Sequence, residues 1–384
     1  MPQHFIQDYI TELSYVSNYY SDLTPKHLSF VAAINNFQPP DIFRPFAYCE
    51  LGCGCGKTTN TVAACYPKAN CIGVDINSDH IKIAKNESSG LSNIHFFDVS
   101  FKDALHLDLI KFDFIVMHGV WSWVNDSVRS DILKFVKKFL KTKGLFYISY
   151  DSMPGWTQLQ PFHKIMSLYT KNMQCPLEEK AKSAMAYLQY LHINKSPFFE
   201  RNPDAKCFLQ LLERSDIRYI VHELFNEHLR PDYFCDVAAK MQNAGLSFVG
   251  NNSYIDNYYT ILPEPFKELL GTANDRISLE THKSIIQNDR FRKDLYTKSK
   301  PSLDCEKNYL RNFIFGASKS IHDLRLKVDF SGYSVTLAAN PYLTIFQLLS
   351  EKQLTIKELN KKLKRSPQKI AETIENIINC MLTN

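Results

Sequence analysis

The chain has 384 residues, 45% hydrophobic, 22% charged and 13% aromatic, a balance that supports a sizeable core and room for two or three domains. A net charge of +5 is too small to imply nucleic acid by itself, and no apolar run reaches the ~20 residues of a membrane-spanning helix. The amino terminus, Met1-Pro2-Gln3-His4-Phe5-Ile6-Gln7-Asp8, lacks the basic and long apolar segments of an export signal, and the ten cysteines are scattered through apolar stretches, so a reducing, cytoplasmic setting is expected.

Residues 1–38 carry a helical pattern rich in tyrosine (Tyr9, Tyr15, Tyr19, Tyr20), with Thr24-Pro25 opening a helix through Asn36 and Pro39-Pro40 ending it. Ala47–Gly56 reads as a short apolar strand running into Gly52, Gly54 and Gly56, a tight turn whose bare backbone can approach a ligand. A helix is expected over Thr58–Tyr66, then a strand ending Cys71-Ile72-Gly73-Val74-Asp75, then a helix over Ser78–Asn86 with Ser78 as its cap. Asp75 stands about twenty residues past the last glycine, where a carboxylate can grip a ribose diol. A third strand ends His95-Phe96-Phe97-Asp98-Val99 and a fourth covers Phe112–Met117. A helix over Asp126–Lys141 then precedes a fifth strand, Gly144–Tyr150. The alternation over 46–150 predicts a doubly wound parallel sheet.

After Pro154-Gly155 the pattern changes. Residues 157–215 have helical periodicity, with loops at Lys195-Ser196-Pro197 and Asn202-Pro203. A mixed segment Ile217–Leu224, a helix near Pro231–Asn243 and a short strand Leu246–Val249 follow, and the pattern leaves open whether they complete the sheet or form another module. The tail from about 303 is Lys-rich and helical, with short helices over Leu354–Leu363 and Ser366–Asn379 that resemble half of a winged helix. Its second helix mixes both charge signs and the chain stops at Asn384 without strands for a wing, which argues against a nucleic-acid partner. The expected division is 1–156, a strand–helix domain with an amino-terminal helical lid; 157–302, a mostly helical part; and 303–384.

The glycine turn separates three ligand classes. A dinucleotide fingerprint needs G-x-G-x-x-G, and here the third glycine comes one residue early. A P-loop needs a glycine at the position of Leu51. The remaining form, Glu50-Leu51-Gly52-x-Gly54-x-Gly56, resembles the turn of class I methyltransferases that use S-adenosylmethionine. In that reading Glu50 suits the cofactor's positive groups. Asp75 accepts from the ribose hydroxyls, each charge-assisted bond contributing about 1.5–3 kcal/mol. Ile76 follows it in the site, Asp98 bonds the adenine amino group, and Val99 offers its amide to the ring. The fourth strand delivers His118 to the carboxyl end of the sheet, beside the cofactor. Tyr15 and Tyr19 lid the cofactor or pack their helix on the sheet. Cys49, Cys53 and Cys55 crowd the turn, but strand geometry splays them and no C-x-x-C or His pair completes a metal set.

Further segments resemble the bacterial class I methyltransferases with a methyltransferase regulatory domain, a group similar to the rickettsial protein-lysine methyltransferases. They are Gly73-Val74-Asp75, His118-Gly119-Val120-Trp121-Ser122-Trp123-Val124, Tyr147–Trp156, His222–Pro231, Phe234–Val249 and, more weakly, Arg290–Leu295. The resemblance implies a Rossmann-like α/β catalytic sheet, a helical middle region, a partial winged-helix-like carboxyl part, and methylation of lysine side chains in a protein substrate. His118, Trp121, Tyr150 and Asp151 are the catalytic candidates, because they leave strands four and five where an aromatic wall would attract an ammonium group. Each also has a structural reading: one of Trp121 and Trp123 belongs to the core, His118 can hold a turn, and Asp151 can cap the turn at Ser152–Pro154. Asn340-Pro341-Tyr342 reads as an ordinary turn. A small-molecule N- or O-methyltransferase closed by 157–215, and a cofactor-binding protein without catalysis, stay open as alternatives.

Overall fold

The computed structural model describes residues 5–6, 9–10, 18–259, 262–300, 310, 313–317, 325–330, 333–337, 339–365 and 370–381. Its centre is a sheet of β1 (Ala47–Leu51), β2 (Asn70–Asp75), β3 (Ile94–Asp98), β4 (Phe112–Met117), β5 (Leu140–Met153), β6 (Ser247–Asn251) and β7 (Phe291–Thr297). The strand order is β3-β2-β1-β4-β5-β7-β6. β1 to β5 run parallel, as the strand–helix alternation predicts. β7 inserts antiparallel between β5 and β6, so both strands of the later segment belong to this sheet. The two-residue strand Asp232–Tyr233 extends the end of β5.

Every residue of β1 is buried, the pattern of a parallel strand covered on both faces. Alternation along β5 sorts its side chains: Leu145 and Tyr147 face one core, Phe146, Ile148 and Tyr150 the other. The first core is covered by α1 (Pro25–Ile34), α2 (Lys57–Cys65) and α3 (Ser78–Glu87). The second lies under α4 (Phe101–Ala104), α5 (Asp126–Phe139) and, from much later in the chain, residues of Phe234–Asn243. Asn77 caps α3 by accepting from the Asp79 and His80 amides, one residue before the expected Ser78.

Past β5 the chain forms α6 (Gln160–Thr170), α7 (Leu177–Ile193), α8 (Pro197–Arg201), α9 (Pro203–Glu213) and α10 (Ile217–Leu224), which share a separate apolar core. It returns through α11 (Phe234–Asn243), α12 (Glu264–Gly271) and α13 (Arg276–Gln287). Arg292 and Asp294 of β7 are fully buried and paired at 2.8 Å, with Glu280 on α13 and the Tyr150 hydroxyl (2.5 Å to Asp294) completing the cluster.

At the amino end Phe5–Ile6 pairs antiparallel with Tyr9–Ile10, where a helical pattern was expected. The tail also carries strands: Lys327–Phe330 pairs with Tyr333–Thr336, and Ile314–Phe315 with Leu354–Thr355. Its helices are α14 (Ala339–Glu351), α15 (Ile356–Lys362) and α16 (Ile370–Met381), and this unit packs on Phe30 and Ala33 of α1. Residues 366–369 of the expected second tail helix lie outside the described residues. Among the described residues no helix is long and apolar enough to cross a membrane.

Candidate active site

The carboxyl ends of β1, β2, β4 and β5 open on a cavity of about 470 Å³. Gly52, Gly54 and Gly56 all adopt left-handed backbone, with φ of 71°, 53° and 72°. A side chain at Gly52 would come within 2.5 Å of Val120, and one at Gly56 within 2.7 Å of Ala84 and Phe96. Gly54 faces open space, and its amide donates to the Asp75 carboxylate at 2.8 Å. The other Asp75 oxygen accepts from the Asn77 amide at 2.9 Å, which ties the end of β2 to the glycine turn.

Glu50 is buried at the base of the cavity and accepts a bond from the Thr59 hydroxyl. Burial pushes its carboxyl up to about 7, against the opposing pull of Thr59 and with help from nearby Asp75. A buried carboxyl in that state gains when a cation enters beside it.

His118 leaves β4 with Nδ1 set 2.9 Å from the Tyr147 hydroxyl and 3.1 Å from Ser149 Oγ. Burial pushes its imidazole down to about 4, so it is neutral at pH 7. Either hydroxyl can share a hydrogen bond with Nδ1, and Ser149 Oγ also accepts the Gly119 amide at 2.9 Å. Tyr20 lies over the ring at 4.2 Å.

The turn Trp121–Trp123 divides three tasks. Trp121 is fully buried, donates its indole N–H to Asp232 at 3.2 Å and lies under the Arg129 guanidinium. Arg129 pairs with Asp232 at 2.7 Å and donates to the Trp121 carbonyl. Ser122 Oγ accepts the Asp151 amide at 2.8 Å, stitching β5 to the turn. Trp123 lines the cavity.

Asp151 is 4% exposed on the cavity wall, and its Oδ2 has no hydrogen-bond partner among the described residues. Burial pushes this carboxyl up to about 7, against a bond from Trp156 and the charge of Arg290. Tyr219, Glu223, Arg290 and Phe291, all from beyond residue 216, complete the wall around it.

Of the residues expected from sequence, Glu50, Gly52, Gly54, Asp75, Ile76, Val99, His118 and Asp151 line this one cavity. Gly56 starts α2 and packs against α3 and β3. Asp98 ends β3 in register with Asp75, its side chain exposed and off the cavity wall. Trp121 and Tyr150 sit in the core with polar ends bound to Asp232 and Asp294, so the structure places them away from the cavity. Tyr15 lies outside the described residues, and Tyr19 is exposed and off the wall. The amino-terminal ring that reaches the cavity is Tyr20. Trp123, paired with Trp121 in the sequence reading, is the one that reaches the wall, whereas Trp156, Tyr219, Glu223, Arg290 and Phe291 are not singled out by sequence. Most lie inside the quoted motifs, but nothing in spacing gives their direction.

Residues 45–196 match the family model described as a methyltransferase domain, and residues 216–298 match a predicted methyltransferase regulatory domain. The uncharacterized Synechocystis protein sll1526 is 32% identical over 360 residues, 92% of this chain and 71% of that protein. The chain belongs to the methyltransferases that carry a regulatory domain. This methyltransferase is also 29% identical to Rickettsia prowazekii protein RP789 over 290 residues, 74% of the chain and 51% of that protein. Its fold is similar to that of PKMT2 from Rickettsia typhi, with 24% identity, a TM-score of 0.73, and coverage of 95% of this chain and 75% of that one. PKMT2 in complex with AdoHcy matches with a TM-score of 0.72. The cofactor of this methyltransferase is S-adenosylmethionine, and the donor set fits it: a tethered carboxylate at the end of β2, a buried carboxyl that favours a cation, and a glycine turn open at Gly54.

Proposed function

We propose that this methyltransferase acts on amines, foremost the side-chain amine of lysine in a protein substrate. The observation that carries the proposal is Asp151, which shares the cavity wall with Trp123, Trp156 and Tyr219, and whose carboxyl is pushed up to about 7 while its buried Oδ2 has no hydrogen-bond partner among the described residues. An alkylammonium has a reference pKa near 10.4 and must lose a proton before its nitrogen can attack. Entry into an aromatic, low-dielectric wall lowers that value, and Asp151 takes the proton onto Oδ2. When bound, S-adenosylmethionine supplies an electrophilic methyl carbon and keeps the electron pair of its broken carbon–sulfur bond. Asp75 and Ile76 would hold its ribose, Val99 would border its adenine, and Glu50 would balance its positive charge, with Asp98 outside the wall. His118, neutral and locked by Tyr147 and Ser149, sets the floor between cofactor and acceptor.

The choice of a protein substrate is supported by the resemblance to rickettsial protein-lysine methyltransferases and by the shared fold with PKMT2. The cytoplasm is the proposed site of action, and 1–156, 157–302 and 303–384 the proposed division of labour. One observation favours a second reading: Leu159, Phe208 and Leu211 of the helical region also line the cavity, a roof that suits a small amine.

Incubation with methyl-³H S-adenosylmethionine and cell envelope, cytosolic protein and small-molecule fractions separates these readings. Label on lysine, identified by mass spectrometry, is the expected result. Label confined to small molecules selects the second reading. Cofactor binding with no transfer to any fraction overturns both.

A further inference from the structure

We infer that helix α10, in the segment matched by the regulatory-domain model, is part of the acceptor site: Glu223 holds a cationic alkylamine and Tyr219 walls it. The inference rests on the amine reading of Asp151.

The helix reads this way from its own periodicity. Ile220, Val221 and Leu224 bury in the core of the helical region. Tyr219, His222 and Glu223, continued by Asn226 just past the helix end, line the cavity. Those positions are i, i+3, i+4 and i+7, one face of a helix. The face that sequence would assign to solvent is therefore turned onto the active site. Glu223 is 8% exposed there, and burial then the charges of Glu223 and Asp151 raise the Tyr219 hydroxyl, so two carboxyls flank that ring. Arg290, from the same segment, is the opposing charge at that wall.

Two observations beyond the acidic residues point to a ligand. Asp151 Oδ2 and the Trp123 indole N–H are both buried polar atoms on cavity-lining residues with no hydrogen-bond partner among the described residues. The carboxyl oxygen and the aromatic faces complement an alkylammonium, which has only donors, and the indole N–H calls for an acceptor elsewhere in the ligand. The two carboxyls divide the work. Asp151 takes the proton, and Glu223 stays as counter-charge for the amine on entry and for the methylammonium that forms. A site with one carboxyl would lose its counter-charge when that group is protonated.

The test uses the full chain, poly-L-lysine as acceptor and tritiated cofactor. Glu223→Gln is expected to raise KM for poly-L-lysine about tenfold, with the cofactor Kd, read from tryptophan fluorescence, within about twofold of wild type. Glu223→Asp, which keeps the charge, is expected to recover most of the KM, an effect that packing alone would not give. The unchanged cofactor Kd shows that each variant is folded. If wild type labels poly-L-lysine and Glu223→Gln has the same KM, the role of Glu223 is overturned while the amine reading stands. If wild type binds cofactor and labels no poly-L-lysine, the amine reading fails and takes this inference with it.

Discussion

Asp75 does two jobs with one carboxylate. Its oxygens accept the Gly54 and Asn77 amides, and its remaining lone pairs face the cavity. Replacing it with alanine would remove the proposed ribose contacts and both amide tethers of the turn. Asp75→Ala should weaken S-adenosylmethionine binding by about tenfold or more, measured by calorimetric titration, since tenfold is about 1.4 kcal/mol. Glu50 gives a prediction in pH. Burial raises its carboxyl from 4.5 to about 7 in the free protein, opposed by Thr59 and aided by Asp75. The bound cation favours the ionised form, so binding must release a proton from Glu50 below that pH. Affinity should therefore be level above about pH 8 and fall as pH drops below about 7, approaching one decade per unit. Glu50→Gln should bind less tightly at pH 8 and lose that slope. A slope retained in Glu50→Gln would assign the titration elsewhere. Asp151→Asn should lower kcat on lysine by about 10²–10⁴-fold, the usual span of a general base, with cofactor affinity kept. Loss of cofactor binding instead would make Asp151 a structural residue. These carboxylates are legible in sequence because each stands at or near the carboxyl end of a strand, and the parallel strands of one sheet bring those ends to one edge.

At the level of elements, the Trp121–Trp123 turn shows where such reading stops. Its motif stands out in sequence, but the direction of each ring does not. In a strand the two tryptophans would share a face, whereas a 3₁₀ turn rotates successive side chains by about 120°. Which ring enters the core is decided by Arg129 and Asp232, 103 residues apart. Trp121 thus becomes the anchor and Trp123 the wall. Asp232→Ala should expose that dependence. It takes the counter-charge from buried Arg129 and the acceptor from the Trp121 indole, and loss of one partner of a buried pair costs about 3–5 kcal/mol. The expected result is a loss of that order in urea unfolding, with methyl transfer impaired even where the variant is folded. A stability within about 0.5 kcal/mol of wild type would mean that the turn holds without Asp232.

For the whole molecule, the first five strands and their helices follow from the strand–helix period, whereas the last two do not. β6 is short, and β7 carries Arg292, Lys293 and Asp294 in its centre, a pattern that reads as a surface segment. It is buried because Arg292 and Lys283 balance Asp294 and Glu280, with the Tyr150 hydroxyl donating to Asp294, a condition set by residues from three elements and invisible along any one of them. The same reasoning fixes how separable the regulatory segment is. β7 pairs with β5 over seven residues, from Phe291 opposite Asp151 to Thr297 opposite Leu145. A chain ending at residue 215 would leave the apolar β5 as a bare edge, remove Tyr219, Glu223 and Arg290 from the cavity, and uncover core positions now packed by Phe234, Val237 and Tyr296. An edge of that length and character recruits other chains. The truncated protein should accordingly be recovered as aggregate, or bind neither cofactor nor acceptor if soluble, as read by size-exclusion chromatography and titration. A monodisperse fragment that binds S-adenosylmethionine with wild-type affinity would show instead that the first five strands fold alone and that the later segment is an addition to a finished domain.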